Sequence, residues 1–205
     1  VTEDNWFAGE GPGPGVRGLI RGFFGASGGL GVFTKIGYKL YPVPFCGPLP
    51  TTGRLPQLGL PVPEYGGLFH AVWPDWDAHR DAAFQLVDEN VCFAMLRMPP
   101  DHIGWTVTGT NAEFVRRARE GTLPVAARPE NDKSWTLLAL SRSSAEQAWR
   151  AGVIRDIIER TGGRLLELER EEAEVLCRNL VTSHYVPRVM RPSGGITTSF
   201  GILDS

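Results

Sequence analysis

Cysteine and histidine are scarce in this sequence, and their spacing excludes the usual metal and disulfide frameworks. The 205 residues include 3 cysteines and 4 histidines. The cysteines, Cys46, Cys92 and Cys177, lie far apart without C-x-x-C spacing, and no two histidines have H-x-x-x-H spacing. The pattern therefore indicates neither a disulfide scaffold nor a zinc site. A few unpaired thiols are typical of a reducing compartment, so we expect a cytoplasmic protein.

Long apolar runs and an excess of charge of one sign are also missing. No stretch approaches the roughly 20 apolar residues that a membrane-spanning helix needs, and no segment resembles a signal peptide. With 21 basic and 23 acidic residues, the formal net charge is −2. Such a balance gives no broad attraction to nucleic acid or to anionic lipid. We therefore expect neither a nucleic-acid partner nor a membrane span.

Glycine and proline, in contrast, are abundant, and each is concentrated in one segment. Ten glycines lie between residues 9 and 31. Because glycine has no Cβ, this density favours positive φ or a close approach of backbone N–H groups to a phosphate or a flat ring. Residues 32–41 follow with a period of two, which predicts a half-buried strand. Seven prolines between residues 42 and 63 predict an extended connection without regular pairing, and thus a domain boundary.

The segment after residue 65 alternates between strand and helix patterns. Predicted strands cover residues 67–73, 92–98, 135–140 and 164–168, and predicted helices begin near Asp75, Thr110, Ser143 and Glu169. With residues 99–133 set aside as an insertion, the order is β-α-β-β-α-β, which is typical of the split βαβ, or ferredoxin-like, arrangement. We therefore expect an α+β fold in which an antiparallel sheet carries both helices on one face.

Capping signals and apolar spacing define these helices more closely. Thr110 with Glu113 and Ser143 with Glu146 match the capping-box pattern, and glycines at 121 and 162 mark helix ends. His70, His79 and His102 fall in a strand, a helix and a turn, where we expect structural roles. Apolar residues at helical spacing predict one stripe on each of three helices: Trp76, Ala83, Phe84, Val87 and Val91; Ala145, Trp149, Val153 and Ile157; and Ala173, Leu176, Cys177 and Leu180.

A glycine-rich string near the start of the sequence carries the functional signal. Residues 13–18 fit G-x-G-x-x-G, but a Rossmann site needs a hydrophobic strand before it, and residues 2–8 form none. The longer string runs from Gly11-Pro12 through Arg17-Gly18-Leu19-Ile20-Arg21-Gly22 and Ser27-Gly28-Gly29-Leu30-Gly31-Val32-Phe33-Thr34-Lys35 to Lys39-Leu40-Tyr41-Pro42. It resembles a segment of the vanillyl-alcohol oxidase/PCMH family of FAD-linked, glycolate oxidase-like oxidoreductases. Members carry G-P-x-x-R-G-L-x-R-G, then S-x-G-x-L-G, then a strand that ends in K-L-x-P.

This resemblance covers about residues 9–42 and implies a domain organisation. Residues 1–42 are expected to be the C-terminal end of a PCMH-type FAD-binding domain, residues 43–64 a proline-rich linker, and residues 65–205 an incomplete substrate, or cap, domain. Because the family's earlier FAD segments are missing, the chain is expected to need the remainder of that domain, from the same polypeptide or a partner chain, and to be inactive alone. The residues that the resemblance places against FAD, mainly through backbone atoms, are Ser27, Gly28, Gly29, Leu30, Gly31, Val32 and Phe33.

A segment after the last predicted helix concentrates groups that bind anions and transfer protons. Residues 182–195 include His184, Tyr185, Arg188 and Arg191. His184 or Tyr185 can act as a base on an alcohol, and Arg188 or Arg191 can pair with a substrate carboxylate. The alternative is that both arginines form surface or interdomain ion pairs and that Tyr185 lies in the core.

The resemblance thus implies an FAD-dependent oxidoreductase that oxidises an alcohol or a hydroxy acid, a small-molecule substrate, by hydride transfer to the flavin. Two alternatives stay open. One is a non-catalytic ferredoxin-like binding or assembly module without flavin. The other is a ferredoxin-like sensor that binds a small molecule without redox activity.

Overall fold

The predicted strand segments form one four-stranded antiparallel sheet. In the computed structural model, which describes residues 48–53 and 57–182, the strands are β1 (Gly66–Val72), β2 (Ala94–Leu96), β3 (Ser134–Leu140) and β4 (Arg164–Leu165). Their order across the sheet is β2-β3-β1-β4. β1 is therefore central, with Thr136 of β3 opposite His70 and Arg164 of β4 opposite Val72. The expected α+β class and antiparallel sheet are confirmed, although β2 and β4 are shorter than predicted.

Helices cover both faces of this sheet. They are α1 (Trp76–Asp88), α2 (Pro100–Val107), α3 (Asn111–Glu120), α4 (Ser144–Arg160) and α5 (Arg170–Val181), with short 3₁₀ turns at Val125–Ala127 and Pro129–Asn131. Because side chains alternate along a strand, Ala71 and Leu137 face α1 and α4, whereas Leu138 faces Cys177 of α5. α2, which belongs to the predicted insertion, packs beside α5 through Ile103 and Leu176.

The predicted helix ends are confirmed by their hydrogen bonds. Thr110 Oγ1 accepts from the backbone N–H of Glu113 at 3.0 Å, and Ser143 Oγ accepts from the N–H of Glu146 at 3.2 Å. The Glu146 carboxylate in turn accepts from the backbone N–H of Arg142 at 2.9 Å. These bonds satisfy N–H groups that have no partner inside the helix. Gly121 ends α3 with φ of 67°, a left-handed conformation that glycine adopts without a Cβ penalty.

The predicted apolar stripes of α1 and α4 are correct only in part, because Val91 and Ile157 are buried and Val153 packs against the core, whereas four of the larger members are exposed. Trp76, Phe84 and Val87 of α1 are 49%, 65% and 62% exposed, and Trp149 of α4 is 57% exposed. Each helix carries apolar residues on more than one face, so periodicity alone does not decide which face meets the sheet. The buried positions are His79, Ala82 and Leu86 in α1 and Ala151, Ile154, Ile157 and Ile158 in α4.

The insertion contains a helix that the sequence analysis missed. The residues after the Pro99-Pro100 pair were expected to form a turn, but α2 begins at Pro100. A proline at the first helical position loses no hydrogen bond, because that N–H has no partner within the helix. His102 therefore lies in a helix, and the prediction of a turn there is wrong.

The described residues of the proline-rich segment, 48–53 and 57–63, include one isolated bridge and pack against α5. Thr52 and Gly59 form an isolated antiparallel bridge. The N–H of Leu60 donates to the Glu174 carbonyl at 2.8 Å, and its side chain is fully buried beside Cys177. Gly59 allows this approach, because a Cβ there would lie 2.9 Å from the Glu174 Cβ. Leu60 thus links α5 to the sheet, because it bonds to Glu174 of α5 and lies in one buried cluster with Leu138 of β3.

Candidate functional site

The residues that the sequence marks for chemistry lie outside the described part of the chain. This holds for the flavin-contact segment Ser27–Phe33 (Ser27, Gly28, Gly29, Leu30, Gly31, Val32 and Phe33) and for His184, Tyr185, Arg188 and Arg191. The structure therefore does not describe how these residues lie relative to one another, and their roles stay predictions. What it does describe is the element that leads to the second set: α5 ends at Val181, three residues before His184.

α5 carries polar side chains into the core near its end. Arg178 is fully buried, and its Nη2 donates to Asn179 Oδ1 at 2.7 Å. Asn179 Nδ2 donates to Thr106 Oγ1 of α2 at 3.2 Å. Burial lowers the pKa of Arg178 to about 10, which leaves the guanidinium charged at neutral pH. A buried polar network of this kind fixes the helix end against α2 in one arrangement.

A buried carboxylate lies near the start of the same helix. Glu172 accepts a hydrogen bond from the backbone N–H of Ala126 at 2.9 Å through one oxygen. Its other oxygen is buried and has no hydrogen-bond partner among the residues described. Burial raises the pKa of Glu172 above its usual value, although the bond from Ala126 opposes that change. Burial and the unpaired oxygen thus favour a carboxyl group that takes up a proton more readily than a surface glutamate.

A buried histidine lies on the face of the sheet that carries Thr136. His70 Nδ1 and Thr136 Oγ1 are 2.9 Å apart and share a hydrogen bond. His70 Nε2 and the Ser134 hydroxyl are both buried, and neither has a hydrogen-bond partner in the part of the chain that the structure describes. Burial lowers the pKa of His70 to about 4. The imidazole is therefore neutral at neutral pH.

A second histidine is enclosed by aromatic rings at one end of the sheet. The His79 ring stacks on Trp135 with centroids 4.8 Å apart, and it forms T-shaped pairs with Trp76 and Trp73, whose centroids lie 5.2 and 5.7 Å away. His79 Nε2 lies 3.3 Å from the Ser134 carbonyl oxygen. Because a carbonyl oxygen only accepts, Nε2 carries a proton and donates. Burial lowers the pKa of this histidine.

The described thiols and acidic groups do not form a metal or nucleophile site. No group of three or more His, Cys, Asp or Glu residues that can hold a metal occurs among the described residues. Burial raises the pKa of Cys92 and of Cys177 to about 11, so both stay protonated and unreactive at neutral pH. Within residues 48–53 and 57–182, no helix is long and apolar enough to cross a membrane.

Sequence reasoning named neither Glu172 nor Arg178 and Asn179, although their spacing carries a signal. Glu172 and Asn179 fall seven residues apart and flank the buried Val175 and Leu176. Positions separated by three, four and seven residues share one helical face, so a polar residue in that register is placed toward the core. An apolar stripe therefore does not reveal the polar members of the same buried face.

Comparisons with known proteins leave the family of this chain open. No protein-family model matches the chain, and no curated protein or solved structure is significantly similar to it. The resemblance of residues 9–42 to the vanillyl-alcohol oxidase/PCMH family therefore stays a prediction from the sequence.

Proposed function

We propose that this chain is part of an FAD-dependent oxidoreductase of the vanillyl-alcohol oxidase/PCMH type, which oxidises an alcohol or a hydroxy acid. The observation that carries the proposal is the continuous string from Gly11 to Pro42. A glycine-rich loop leads there directly into a predicted strand and then into a proline-rich connection. Glycines let the backbone approach a flat ring or a phosphate. The string resembles the family's flavin-contact segment in its residue types, although the interval between Arg21-Gly22 and Gly28 is about three residues longer than in common members.

The described domain supports a cap role in its architecture. Its element order, with the insertion set aside, is β1-α1-β2-β3-α4-β4, and the strand order is β2-β3-β1-β4. This is the ferredoxin-like order of strands, with α1 and α4 on one face. We propose that it is the substrate-covering cap, enlarged by the insertion between β2 and β3 and by α5 on the second face.

In this proposal three sets of residues bind the flavin, remove the substrate's hydroxyl proton and bind its carboxylate. Backbone atoms of residues 27–33 hold the flavin, which supplies the hydride acceptor when bound. His184 or Tyr185 takes the hydroxyl proton of the substrate, and Arg188 or Arg191 pairs with its carboxylate. The buried Arg178–Asn179–Thr106 network anchors the end of α5, from which these side chains follow within ten residues.

The experiment that tests the proposal is a visible absorption spectrum of the longest natural polypeptide that contains this sequence. Bands of oxidised flavin that bleach when glycolate or lactate is added support the oxidoreductase. A polypeptide that stays colourless after addition of FAD and gel filtration contradicts it.

A non-catalytic binding module is the second candidate, and one observation favours it. Phe84 and Val87 of α1 and Trp149 of α4 expose large apolar side chains on the helix layer that α1 and α4 form on one face of the sheet. Exposed apolar groups gathered on one side of a domain are typical of surfaces that contact another protein. A colourless polypeptide that still forms a complex with a second protein through this layer would favour the module over the oxidoreductase.

A further inference from the structure

The aromatic cluster around His79 lies where the insertion leaves and rejoins the sheet. Arg97 follows the last residue of β2, and Asp132 and Lys133 precede the first residue of β3. His79 belongs to α1, on the helix layer. The cluster is therefore the place where both ends of the segment between β2 and β3, residues 97–133, meet α1; this segment contains the predicted insertion 99–133 and is called the insertion below.

Charged groups surround this histidine from both ends of the insertion. The Arg97 guanidinium lies over the Trp76 ring, 4.8 Å from its centroid, and its Nη2 donates to Asp132 at 3.0 Å. Lys133 Nζ lies 5.9 Å from the same ring. On α1 itself, the nearby Asp77, Arg80 and Asp81 are paired with one another at the surface. The groups that act on His79 are thus two cations and one carboxylate.

A second proton on His79 changes this balance. Neutral His79 already donates through Nε2 to the Ser134 carbonyl, so the added proton goes to Nδ1 and makes a third cation beside Arg97 and Lys133. The new cation repels both, and it competes with Arg97 for Asp132. Stacking on Trp135 partly offsets the repulsion, because an indole face attracts a cation.

We propose that the cluster of His79, Trp76, Trp135, Arg97 and Asp132 is a proton-sensitive fastening that holds both ends of the insertion to α1. At neutral pH the fastening is closed by the bond from His79 to Ser134 and by the Arg97–Asp132 pair. Protonation of His79 draws Asp132 away from Arg97 and loosens the ends of the insertion. The inference is independent of the flavin proposal, because it uses described residues alone.

Tryptophan fluorescence tests this fastening directly, since three of the 6 tryptophans contact the His79 ring. Emission of the full chain is measured from about pH 7.5 to about pH 5. We expect it to fall with a midpoint below the ordinary histidine value of about 6.5, because burial and the two cations disfavour the charged form. As the pH falls through the same range, the rate of amide exchange in the insertion, corrected for intrinsic rates, is expected to rise by up to about tenfold per pH unit.

Two variants and a matched control assign the response. His79→Gln removes the titrating group, so the emission change and the rise in exchange are expected to disappear. His102→Gln is the control, because His102 also contacts a tryptophan, Trp105, at 4.9 Å, yet lies outside the cluster. Asp132→Asn is expected to move the midpoint to lower pH, because the carboxylate favours the protonated form.

Three results would overturn the inference. One is a wild-type protein whose emission and exchange stay constant over this pH range. A second is an unchanged pH response in His79→Gln. If His79→Gln does not fold, Asp132→Asn decides, and an unmoved midpoint in that variant is the third.

Discussion

At the scale of single residues, buried His70 couples folding to pH. Its pKa is about 4 in the folded protein, compared with 6.5 for an ordinary histidine, so between these pH values the unfolded chain binds a proton that the folded chain does not. The stabilising effect of its neutrality is complete above about pH 6.5 and is lost as the pH falls toward 4. We expect this residue alone to lower the free energy of unfolding by roughly 2 kcal/mol between pH 7 and pH 5.

Urea unfolding at these two pH values measures that effect. His70→Gln is expected to reduce the acid-induced loss of stability by the stated amount. An equal loss of unfolding free energy between pH 7 and pH 5 in wild type and His70→Gln would show that His70 does not titrate as described.

Alanine substitutions at two glycines are expected to change stability in opposite directions, because the surroundings of the two glycines differ. A Cβ at Gly163 would lie 2.6 Å from Trp73 Nε1, whereas a Cβ at Gly152, on the exposed side of α4, meets nothing within 4 Å. Gly163→Ala is therefore expected to destabilise the protein by roughly 1–3 kcal/mol through overpacking. Gly152→Ala is expected to stabilise it by about 0.5–1 kcal/mol, because alanine loses less backbone freedom in a helix. Thermal unfolding of both variants checks the sign, and equal shifts would contradict the account.

At the scale of elements, helix caps were the most predictable feature, and α4 shows why. A cap depends on a few neighbouring residues, here Ser143 and Glu146, so the signal is local and the structure repeats it. The buried face of the same helix depends on the sheet that it meets. Trp149 and Ile154 are both apolar, and only the tertiary contact makes Ile154 the buried one.

The cap of α4 gives a prediction at this scale. Ser143→Ala removes the oxygen that accepts from Glu146 N–H at 3.2 Å. We expect the free energy of unfolding to fall by about 1 kcal/mol. Ser144→Ala, at the exposed first residue of the helix, serves as the control and is expected to change stability little. Equal losses in the two variants would show that the hydroxyl of Ser143 is not the cap.

At the scale of the whole molecule, the strand order followed from the sequence but the second layer did not. The alternation of β and α segments predicted an antiparallel sheet with two helices, as observed for β1, α1, β2, β3, α4 and β4. The apolar stripe of α5 was predicted, and its Leu176 and Cys177 are buried, but a stripe alone does not show which face of the sheet the helix covers. The docking of Leu60 on Glu174 was also missed, since proline-rich composition predicts extended backbone without showing what it contacts.

The candidate site was predictable only as residue types, because ligand contacts depend on elements far apart in sequence. Arg188 and Arg191 follow α5 in the chain, whereas the flavin-contact string precedes β1 by more than thirty residues. Both sets lie outside the residues that the structure describes. The structure instead describes buried polar groups in the sheet and in α5, namely His70, Glu172 and Arg178.

The central claim, that residues 27–33 hold a flavin, is tested most directly by absorption spectra of the longest natural polypeptide and its Gly29→Val variant. A Cβ and two methyl groups at this position would block the backbone approach that the glycine-rich string provides. The account predicts oxidised-flavin bands in the wild type, loss of at least most of that flavin in Gly29→Val, and full retention in Gly152→Ala. A colourless wild type, or a Gly29→Val variant with undiminished flavin, would contradict it.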